Sequence, residues 1–323
     1  MSADAYRVAP LRMVDGLPMF SEADRYVENY QRIAADHVAA IKPGRANPFI
    51  EDELWQVLEE STRALITKHV PAGSRILDVG VGLGRLLGPL TQYRRFGIDI
   101  SLDYLKQARD RGIEAAFARV EDMPFHDGYF DAVATSDMLE HVLDLDACVR
   151  QLLRVLRPGG VLIVRVPYRE DLSPYLAENL PYEFVHLRNF DEHGLRLLFA
   201  KIHKCTVLEY SQVAPYLQGP ARMKLRLLPE DNAARRLAGT AGERVSFRDR
   251  LRAALATARR ELINTLARKA TDPLQVLRDA TRVSEEEFTA WIYRLKDEHP
   301  ELYREVAAAL LHGMEINMVV RKP

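Results

Sequence analysis

The sequence predicts an α/β protein organised around a doubly wound parallel sheet. Between residue 75 and about residue 170, short apolar segments alternate with helical stretches, and no long gap separates them. This alternation is typical of parallel strands joined by crossover helices. We predict strands at 75–80, 94–100, 113–117, 130–135 and 160–166, and helices at 84–92, 102–111 and 144–156.

Two later segments, 206–210 and 315–320, read as a sixth and a seventh strand. The residues between them show long helical periodicity and few strand signals, so a helical insertion is expected there. The N-terminal part is predicted to hold an irregular lead-in over residues 1–20 and two helices, the first capped by Ser21 and the second starting near Pro48. The predicted domains are an N-terminal helical cap at 1–72, a core at 73–210 plus 313–323, and a helical insertion at 211–312.

Composition limits the classes of partner. The chain has 323 residues, a formal net charge of −1, 28% charged residues and 47% hydrophobic residues. These values give no overall attraction to nucleic acid, and no apolar run is long enough for stable insertion into a membrane. Cys148 and Cys205 lie in apolar contexts without a C-x-x-C motif, so we expect reduced cysteines and a cytoplasmic location.

A glycine-rich turn follows the first strand of the predicted sheet. The apolar segment 75–79 runs directly into Gly80-Val81-Gly82-Leu83-Gly84, and a helical pattern is expected from Arg85. Glycine allows a positive φ and leaves no Cβ in the way of a ligand, while a helix N-terminus offers unpaired N–H groups. The turn therefore predicts a site for a nucleotide-like ligand.

The spacing of the glycines distinguishes between nucleotides. A dinucleotide fingerprint reads G-x-G-x-x-G, whereas the third glycine here comes one residue early, which disfavours an NAD-dependent oxidoreductase. Asp78 lies two residues before the first glycine, and Asp99 ends the second strand 19 residues after Gly80. A bare turn with a buried aspartate explains one of these acids but not both.

These residues resemble the first motif of class I S-adenosylmethionine-dependent methyltransferases, in particular those of type 11. Phe125-His126-Asp127-Gly128-Tyr129-Phe130-Asp131 is similar to the family's entry into strand four, and residues 156–162 (LRPGGVL) are similar to its turn before strand five. The resemblance covers residues 75–167. It implies a seven-stranded Rossmann-like sheet, an S-adenosylmethionine cofactor and an active site at the carboxyl ends of strands one, four and five.

The resemblance also implies which residues contact the cofactor. They are Asp78, Gly80, Gly82, Gly84, Asp99, Ile100, Val120, Glu121 and Ser136. The sequence departs from the family at Arg119, where the family has an aspartate that accepts a hydrogen bond from adenine. Because arginine only donates hydrogen bonds, Glu121, Asp122 or the backbone N–H of Val120 must contact the adenine instead.

A second constellation, Asp137, Glu140 and His141, follows the fourth strand. If these residues open a helix, all three share one face. They resemble the E-x-x-E-H segment of the ubiquinone-pathway O-methyltransferases, which holds a divalent metal such as Mg²⁺. Three interpretations stay open: a metal site, a metal-free role for His141 as a general base or substrate contact with Glu140 beside it, and a purely structural pair. His186, in a later loop, is a second candidate base.

The predicted activity is methyl transfer to a hydroxyl of a small molecule, such as a sugar or a quinone-like or polyketide-like metabolite. N- or C-methylation and a cofactor-binding scaffold without catalysis are the alternatives. Tyr26, Tyr30 and His37 on the first helix are candidate substrate contacts or core residues. Residues 221–270 carry 13 Lys or Arg against 5 Asp or Glu, which fits a solvated helix face, attraction of an anionic substrate, or a homodimer formed through the insertion.

Overall fold

The computed structural model describes residues 3–41, 52–170, 172–178, 180–217, 294–295, 297–302 and 311–323. Contacts divide the chain into two compact units, Met1–Val213 with Met314–Pro323, and Ala214–Gly313. Most of the predicted insertion, including its basic stretch and the homodimer predicted through it, lies outside the described residues. Its first residues correct the prediction, because residues 211–217 continue a strand rather than begin a helical segment.

Two helices precede the central strands, as predicted. Helix α1 spans Arg25–Ala40 and helix α2 spans Asp52–His69. The N-cap of α1 is Asp24 rather than the predicted Ser21, because the Asp24 carboxylate accepts a hydrogen bond from Val27 N at 2.9 Å. The Ser21 hydroxyl instead accepts from the backbone N–H of Arg119, beside the sheet.

Nine strands form one sheet in the described part of the chain, so the predicted count of seven is wrong. They are β1 (Arg12–Val14), β2 (Leu17–Met19), β3 (Arg75–Val79), β4 (Arg94–Asp99), β5 (Glu114–Phe117), β6 (Phe130–Ser136), β7 (Leu156–Pro167), β8 (Thr206–Leu217) and β9 (Leu311–Arg321). The order across the sheet is β1-β2-β5-β4-β3-β6-β7-β9-β8. Neighbours from β5 to β7 pair in parallel, and β9 pairs antiparallel with β7.

The two additional strands form a hairpin in the segment predicted to be irregular. Asp15 and Gly16 make its two-residue turn with φ of 50° and 77°, and Asp-Gly is a favoured pair for such turns. Strand β2 joins the sheet through a parallel pairing of Met19 with Phe117. The Asp-Gly pair was the available sequence signal, and the very short strands on either side of it concealed the hairpin.

The helix predicted at 84–92 does not form. After the glycine turn, the chain makes only isolated turns, with Gly88 N donating to Gly84 O at 2.9 Å. Pro89 lacks an N–H and disfavours helical φ and ψ at Gly88, so the segment from Arg85 has room for about one helical turn. The glycine turn is therefore not followed by a regular helix N-terminus.

The remaining predicted helices are present. They are α3 (Leu102–Asp110) and α4 (Leu145–Val155). A further helix, α5 (Glu192–Arg196), continues as a π-helix over Leu197–Ile202. Alternate side chains of β3 enter separate apolar clusters on the two faces of the sheet, with Leu77 and Val79 in one and Ile76 in the other. No described helix is long and apolar enough to cross a membrane.

Candidate active site

The glycine turn after β3 is shaped by three glycines with positive φ, namely Gly80 (78°), Gly82 (50°) and Gly84 (71°). A Cβ on Gly80 would lie 2.9 Å from Met138 Cγ, and one on Gly84 would lie 2.8 Å from Ala108 Cα. A Cβ on Gly82 would meet no described atom within 4 Å. Gly80 and Gly84 therefore allow close packing, whereas Gly82 borders open space that a ligand can fill.

Asp99, at the end of β4, holds this turn in place. Its Oδ2 accepts a hydrogen bond from Gly82 N at 2.9 Å, and its Oδ1 accepts from Ser101 N at 2.9 Å. Burial raises the pKa of Asp99 to about 6, although the N–H donors oppose the shift. Burial also raises the pKa of Asp78 in the neighbouring strand β3. Two strand-end carboxylates thus lie beside the glycine turn, as the sequence predicted.

Arg119 connects helix α1 to the loop after β5. Its guanidinium pairs with Asp24, the N-cap of α1, and lies 3.5 Å from Glu121 Oε2 through Nε. It also lies 5.3 Å from the centroid of the Tyr26 ring, within cation–π range. Arg119 therefore has a structural role. Glu121 is engaged with Arg119, and Val120 begins a short 3₁₀ turn over Val120–Asp122.

The segment after β6 corrects the predicted helix at Asp137. Residues 137–141 form a bend and a turn, with φ of 52° at Asp137 and a hydrogen bond from His141 N to Met138 O at 3.0 Å. An aspartate tolerates this left-handed conformation better than most residues. Because the backbone is not helical, Asp137 does not share a face with Glu140 and His141. Ser136, the last residue of β6, has a buried hydroxyl with no hydrogen-bond partner among the described residues.

Asp137 is instead paired with Arg165, which the sequence analysis did not single out. Arg165 is 2% exposed near the carboxyl end of β7. Its Nη2 donates to Asp137 Oδ2 at 2.6 Å, and its Nε lies 2.6 Å from Glu315 Oε2 of β9. Burial, followed by the charge of Asp137, raises the pKa of Glu315. The available signal was a charged residue within each of two apolar strands, where unpaired charges are rarely tolerated.

Glu140, His141 and His186 come together at the carboxyl end of β6. Glu140 Oε1 lies 3.7 Å from His141 Nε2 and 4.0 Å from His186 Nε2. The two imidazole rings meet edge to face with centroids 4.6 Å apart. We call these three residues the acceptor cluster. It contains both histidines that the sequence analysis proposed as bases, and it does not include Asp137.

Hydrogen bonds to backbone carbonyl oxygens join the two segments that carry the acceptor cluster. Leu187 N donates to Glu140 O at 2.8 Å, and Arg188 Nη1 donates to Leu139 O at 2.9 Å and to Val142 O. A loop histidine and a histidine after β6 are therefore held in one fixed arrangement. Sequence spacing could not reveal this arrangement, because 45 residues separate His141 from His186.

Helix α1 covers the acceptor cluster. The Tyr30 hydroxyl lies 2.8 Å from His141 Nδ1, and the Tyr26 hydroxyl donates to His141 O at 3.3 Å. Burial raises the pKa of Tyr30, with smaller contributions from Tyr26, Glu140 and Asp99. Tyr30 is thus in electrostatic range of both the Asp99 carboxylate and Glu140 of the acceptor cluster. His37 lies elsewhere on α1, with its Nδ1 2.7 Å from the Tyr104 hydroxyl.

Burial dominates the electrostatics of the acceptor cluster. It raises the pKa of Glu140, and electrostatic interaction with Asp137 is the second cause of this rise. It lowers the pKa of His141 to about 4, and electrostatic interaction with His186 is the second cause of this decrease. His141 is therefore neutral at physiological pH. A neutral imidazole nitrogen and a carboxylate can accept a proton or bind a cation.

Comparison with known proteins identifies the class to which this fold and site belong. A family model described as a methyltransferase domain matches residues 77–164. A ubiquinone biosynthesis O-methyltransferase from Xylella fastidiosa is 34% identical over 177 residues, which cover 52% of this chain and 72% of that protein. A ubiquinone/menaquinone biosynthesis C-methyltransferase from Pseudomonas putida is 38% identical over 143 residues, which cover 40% of this chain and 54% of that protein.

The chain belongs to the S-adenosylmethionine-dependent methyltransferases and is an enzyme of that class. It spans between 54% and 72% of the length of the curated relatives named above. Among solved structures, a geranyl diphosphate C-methyltransferase from Streptomyces coelicolor has a TM-score of 0.49 at 13% identity, covering 94% of this chain and 100% of that chain. Similarity at that level carries no argument about the acceptor.

Proposed function

We propose that this enzyme transfers the methyl group of S-adenosylmethionine to a hydroxyl oxygen of a small-molecule acceptor. The contact that carries the proposal is the packing of Gly80 against Met138, where an added Cβ would lie 2.9 Å from Met138 Cγ. This contact places the glycine turn directly against the turn that carries Glu140 and His141. One turn borders space for the cofactor, and the other presents proton-accepting groups for the acceptor.

The cofactor half uses the residues at the ends of β3, β4 and β6. The Asp99 carboxylate accepts hydrogen bonds from the ribose hydroxyls, and the methionine portion lies against Gly82. The remaining proposed contacts are Asp78, Gly80, Gly84, Ile100, Val120, Glu121 and Ser136. Because Arg119 holds Glu121, the adenine is contacted at the edge of the Val120–Asp122 turn rather than by a free carboxylate.

The acceptor half uses the acceptor cluster. In the transfer, the carbon–sulfur bond of the sulfonium breaks with its electron pair going to sulfur, and the acceptor oxygen forms the new bond to carbon. S-adenosylhomocysteine and a methyl ether are the products, and the hydroxyl proton passes to the acceptor cluster and then to water. The enzyme mainly positions the two reactants and receives this proton.

C-methylation is the second candidate, because one relative is named a C-methyltransferase. An activated carbon acceptor next to a hydroxyl also loses a proton to the same groups, so the site geometry accommodates both outcomes. The position of the new methyl group distinguishes them. A product methyl ether is cleaved by acid, whereas a carbon-bound methyl group is not.

The location and partners are proposed on more general grounds. Cys148 and Cys205 are free and buried, which fits a reducing compartment such as the cytoplasm. We propose small molecules as the substrates, with quinone-like compounds that carry vicinal oxygens as the first class to test. Nucleic acid is not among the proposed partners.

The test is an assay of S-adenosylhomocysteine release from purified enzyme with panels of hydroxylated, aminated and activated-carbon acceptors. The proposal expects release only with hydroxylated acceptors and a methyl ether in the product. Asp99→Asn and His141→Asn should both lower the rate, whereas His126→Gln, a surface substitution, should not. Turnover confined to amine acceptors would contradict the proposed acceptor class.

A further inference from the structure

Glu140 carries a buried carboxyl group whose two oxygens lack hydrogen-bond partners among the described residues. Its side chain is 0% exposed, and neither carboxylate oxygen meets a hydrogen-bond donor in the part of the chain that the structure describes. The Nε2 atoms of His141 and His186 lie 3.7 and 4.0 Å from its Oε1. Hydrogen bonds require about 2.7–3.2 Å between donor and acceptor. Neither imidazole therefore forms a hydrogen bond with the Glu140 carboxyl group.

Both histidines are oriented by their other ring nitrogen. His141 Nδ1 lies 3.0 Å from the carbonyl oxygen of Val185, and His186 Nδ1 pairs with the Glu170 carboxylate. The carbonyl and the carboxylate only accept, and the Tyr30 hydroxyl, 2.8 Å from His141 Nδ1, donates to the Val185 carbonyl at 3.4 Å. The ring proton therefore lies on Nδ1, and the Nε2 lone pair of each imidazole is available. Histidines that bind metals are held in the same way, by a carbonyl or carboxylate on the far nitrogen.

The spacing of the three groups suits the binding of a cation. One ligand atom from each of Glu140, His141 and His186 lies within 4.8 Å of the others. Ligands about 2.0–2.2 Å from a tetrahedral ion lie about 3.4 Å apart. The 3.7 and 4.0 Å separations from Glu140 Oε1 therefore need to shorten by about half an ångström, and the two imidazole nitrogens start within 4.8 Å of each other.

We propose that Glu140, His141 and His186 bind one divalent transition-metal ion, oriented by Glu170 and the Val185 carbonyl. Asp137 is not among the ligands, because Arg165 holds its Oδ2 and the ligand atoms that lie within 4.8 Å of one another come from Glu140, His141 and His186. Two imidazole nitrogens and one carboxylate favour ions such as Zn²⁺ or Co²⁺ over Mg²⁺, which prefers oxygen ligands. The role of the metal rests on the proposed function, because an open coordination position on the ion would receive the acceptor oxygen. Binding of the metal can be measured without turnover.

Cobalt binding tests the site directly. Full-length protein treated with a chelator and dialysed is titrated with Co²⁺, and the visible absorption of the bound ion is followed. We expect one Co²⁺ per chain, displaced by Zn²⁺ and not by a large excess of Mg²⁺. Glu140→Gln and His186→Gln should weaken binding at least about 100-fold, and Glu170→Gln by about 10- to 100-fold through loss of the orienting contact.

Two matched variants make the result specific. Asp137→Asn should bind Co²⁺ as the wild type does, which separates this site from one built on Asp137, Glu140 and His141. His126→Gln removes an exposed histidine and should also leave binding unchanged. Binding that is lost in Asp137→Asn but kept in His186→Gln overturns the proposal, and so does the absence of stoichiometric binding.

Affinity for S-adenosylhomocysteine is measured on every variant. Unchanged affinity shows that a variant has folded and separates failure of the metal site from failure of the cofactor site. If His186→Gln does not fold, Glu170→Gln provides the deciding measurement, because its side chain touches the metal only through His186. Wild-type cobalt affinity in Glu170→Gln would then count against the proposal.

Discussion

Arg165 and Asp137 form an ion pair at the carboxyl ends of β7 and β6, with 2.6 Å between Nη2 and Oδ2. The Arg165 side chain is 2% exposed, and its Nε also lies 2.6 Å from Glu315 Oε2. One guanidinium therefore contacts carboxylates from two strand ends, Asp137 after β6 and Glu315 in β9. This pairing takes Asp137 out of the acceptor cluster and leaves Glu140 with the two histidines.

Replacing Arg165 with leucine should destabilise the fold strongly. The substitution leaves the buried Glu315 and the partly exposed Asp137 without their cation, and removing one partner of a buried pair costs about 3–5 kcal/mol. Urea denaturation measures the change in the free energy of unfolding. Arg157→Leu is the matched control, because it breaks the more exposed pair with Asp131 and should cost at most about 1 kcal/mol. Equal losses in the two variants would contradict the assigned role of Arg165.

Much of the sheet could be predicted from sequence because local periodicity encodes buried parallel strands. The strands at 75–79, 94–99 and 130–136 lie where apolar, β-branched segments indicated them. The prediction of a helix after the glycine turn was wrong, because steric effects at Pro89 outweighed the helical pattern of the sequence. The hairpin before α1 was missed because its strands contain only three residues each.

The acceptor cluster was only half predictable. Glu140 and His141 are neighbours in sequence and matched a known motif, whereas the pairing of His186 with Glu170 is a long-range contact with no local signal. The sequence grouped Asp137 with Glu140 and His141 on the assumption that residues 137–141 are helical. The positive φ at Asp137 shows that they are not. Tertiary pairing with Arg165, which local patterns do not encode, determined where this carboxylate lies.

Gly82→Val should reduce cofactor affinity because the new side chain would occupy the open space beside the glycine turn. Isothermal titration with S-adenosylhomocysteine measures the loss, which we expect to exceed about tenfold, the equivalent of about 1.4 kcal/mol. Gly73→Val is the control, since Gly73 also has a positive φ and no described atom within 4 Å of an added Cβ, but it precedes β3 at the opposite end of the strand. A similar loss in both variants would indicate backbone strain rather than a filled site.

Cofactor affinity should depend on pH through Asp99. Its pKa is raised to about 6, so the carboxylate is charged above that value and protonated below it. A protonated carboxyl accepts fewer hydrogen bonds from ribose hydroxyls, so affinity should fall as pH drops through about 6 and reach about a tenfold loss near pH 5. Asp99→Asn should bind about 1–3 kcal/mol more weakly at neutral pH and lose this dependence. A wild-type profile that stays flat from pH 5 to 8 would argue against the ribose contact.

The last prediction concerns the role of His141 in turnover. If the acceptor cluster works with a bound metal, a chelator should abolish activity, and Zn²⁺ or Co²⁺ should restore it better than Mg²⁺. Glu140→Gln should then lower kcat far more than it lowers affinity for S-adenosylhomocysteine, because Glu140 serves the acceptor half. If activity survives the chelator while His141→Ala lowers kcat by about 10²- to 10⁴-fold, His141 acts as a metal-free general base. Activity that survives both treatments removes the acceptor cluster from catalysis and leaves Glu140 and His141 as residues that hold the loops after β6 in place.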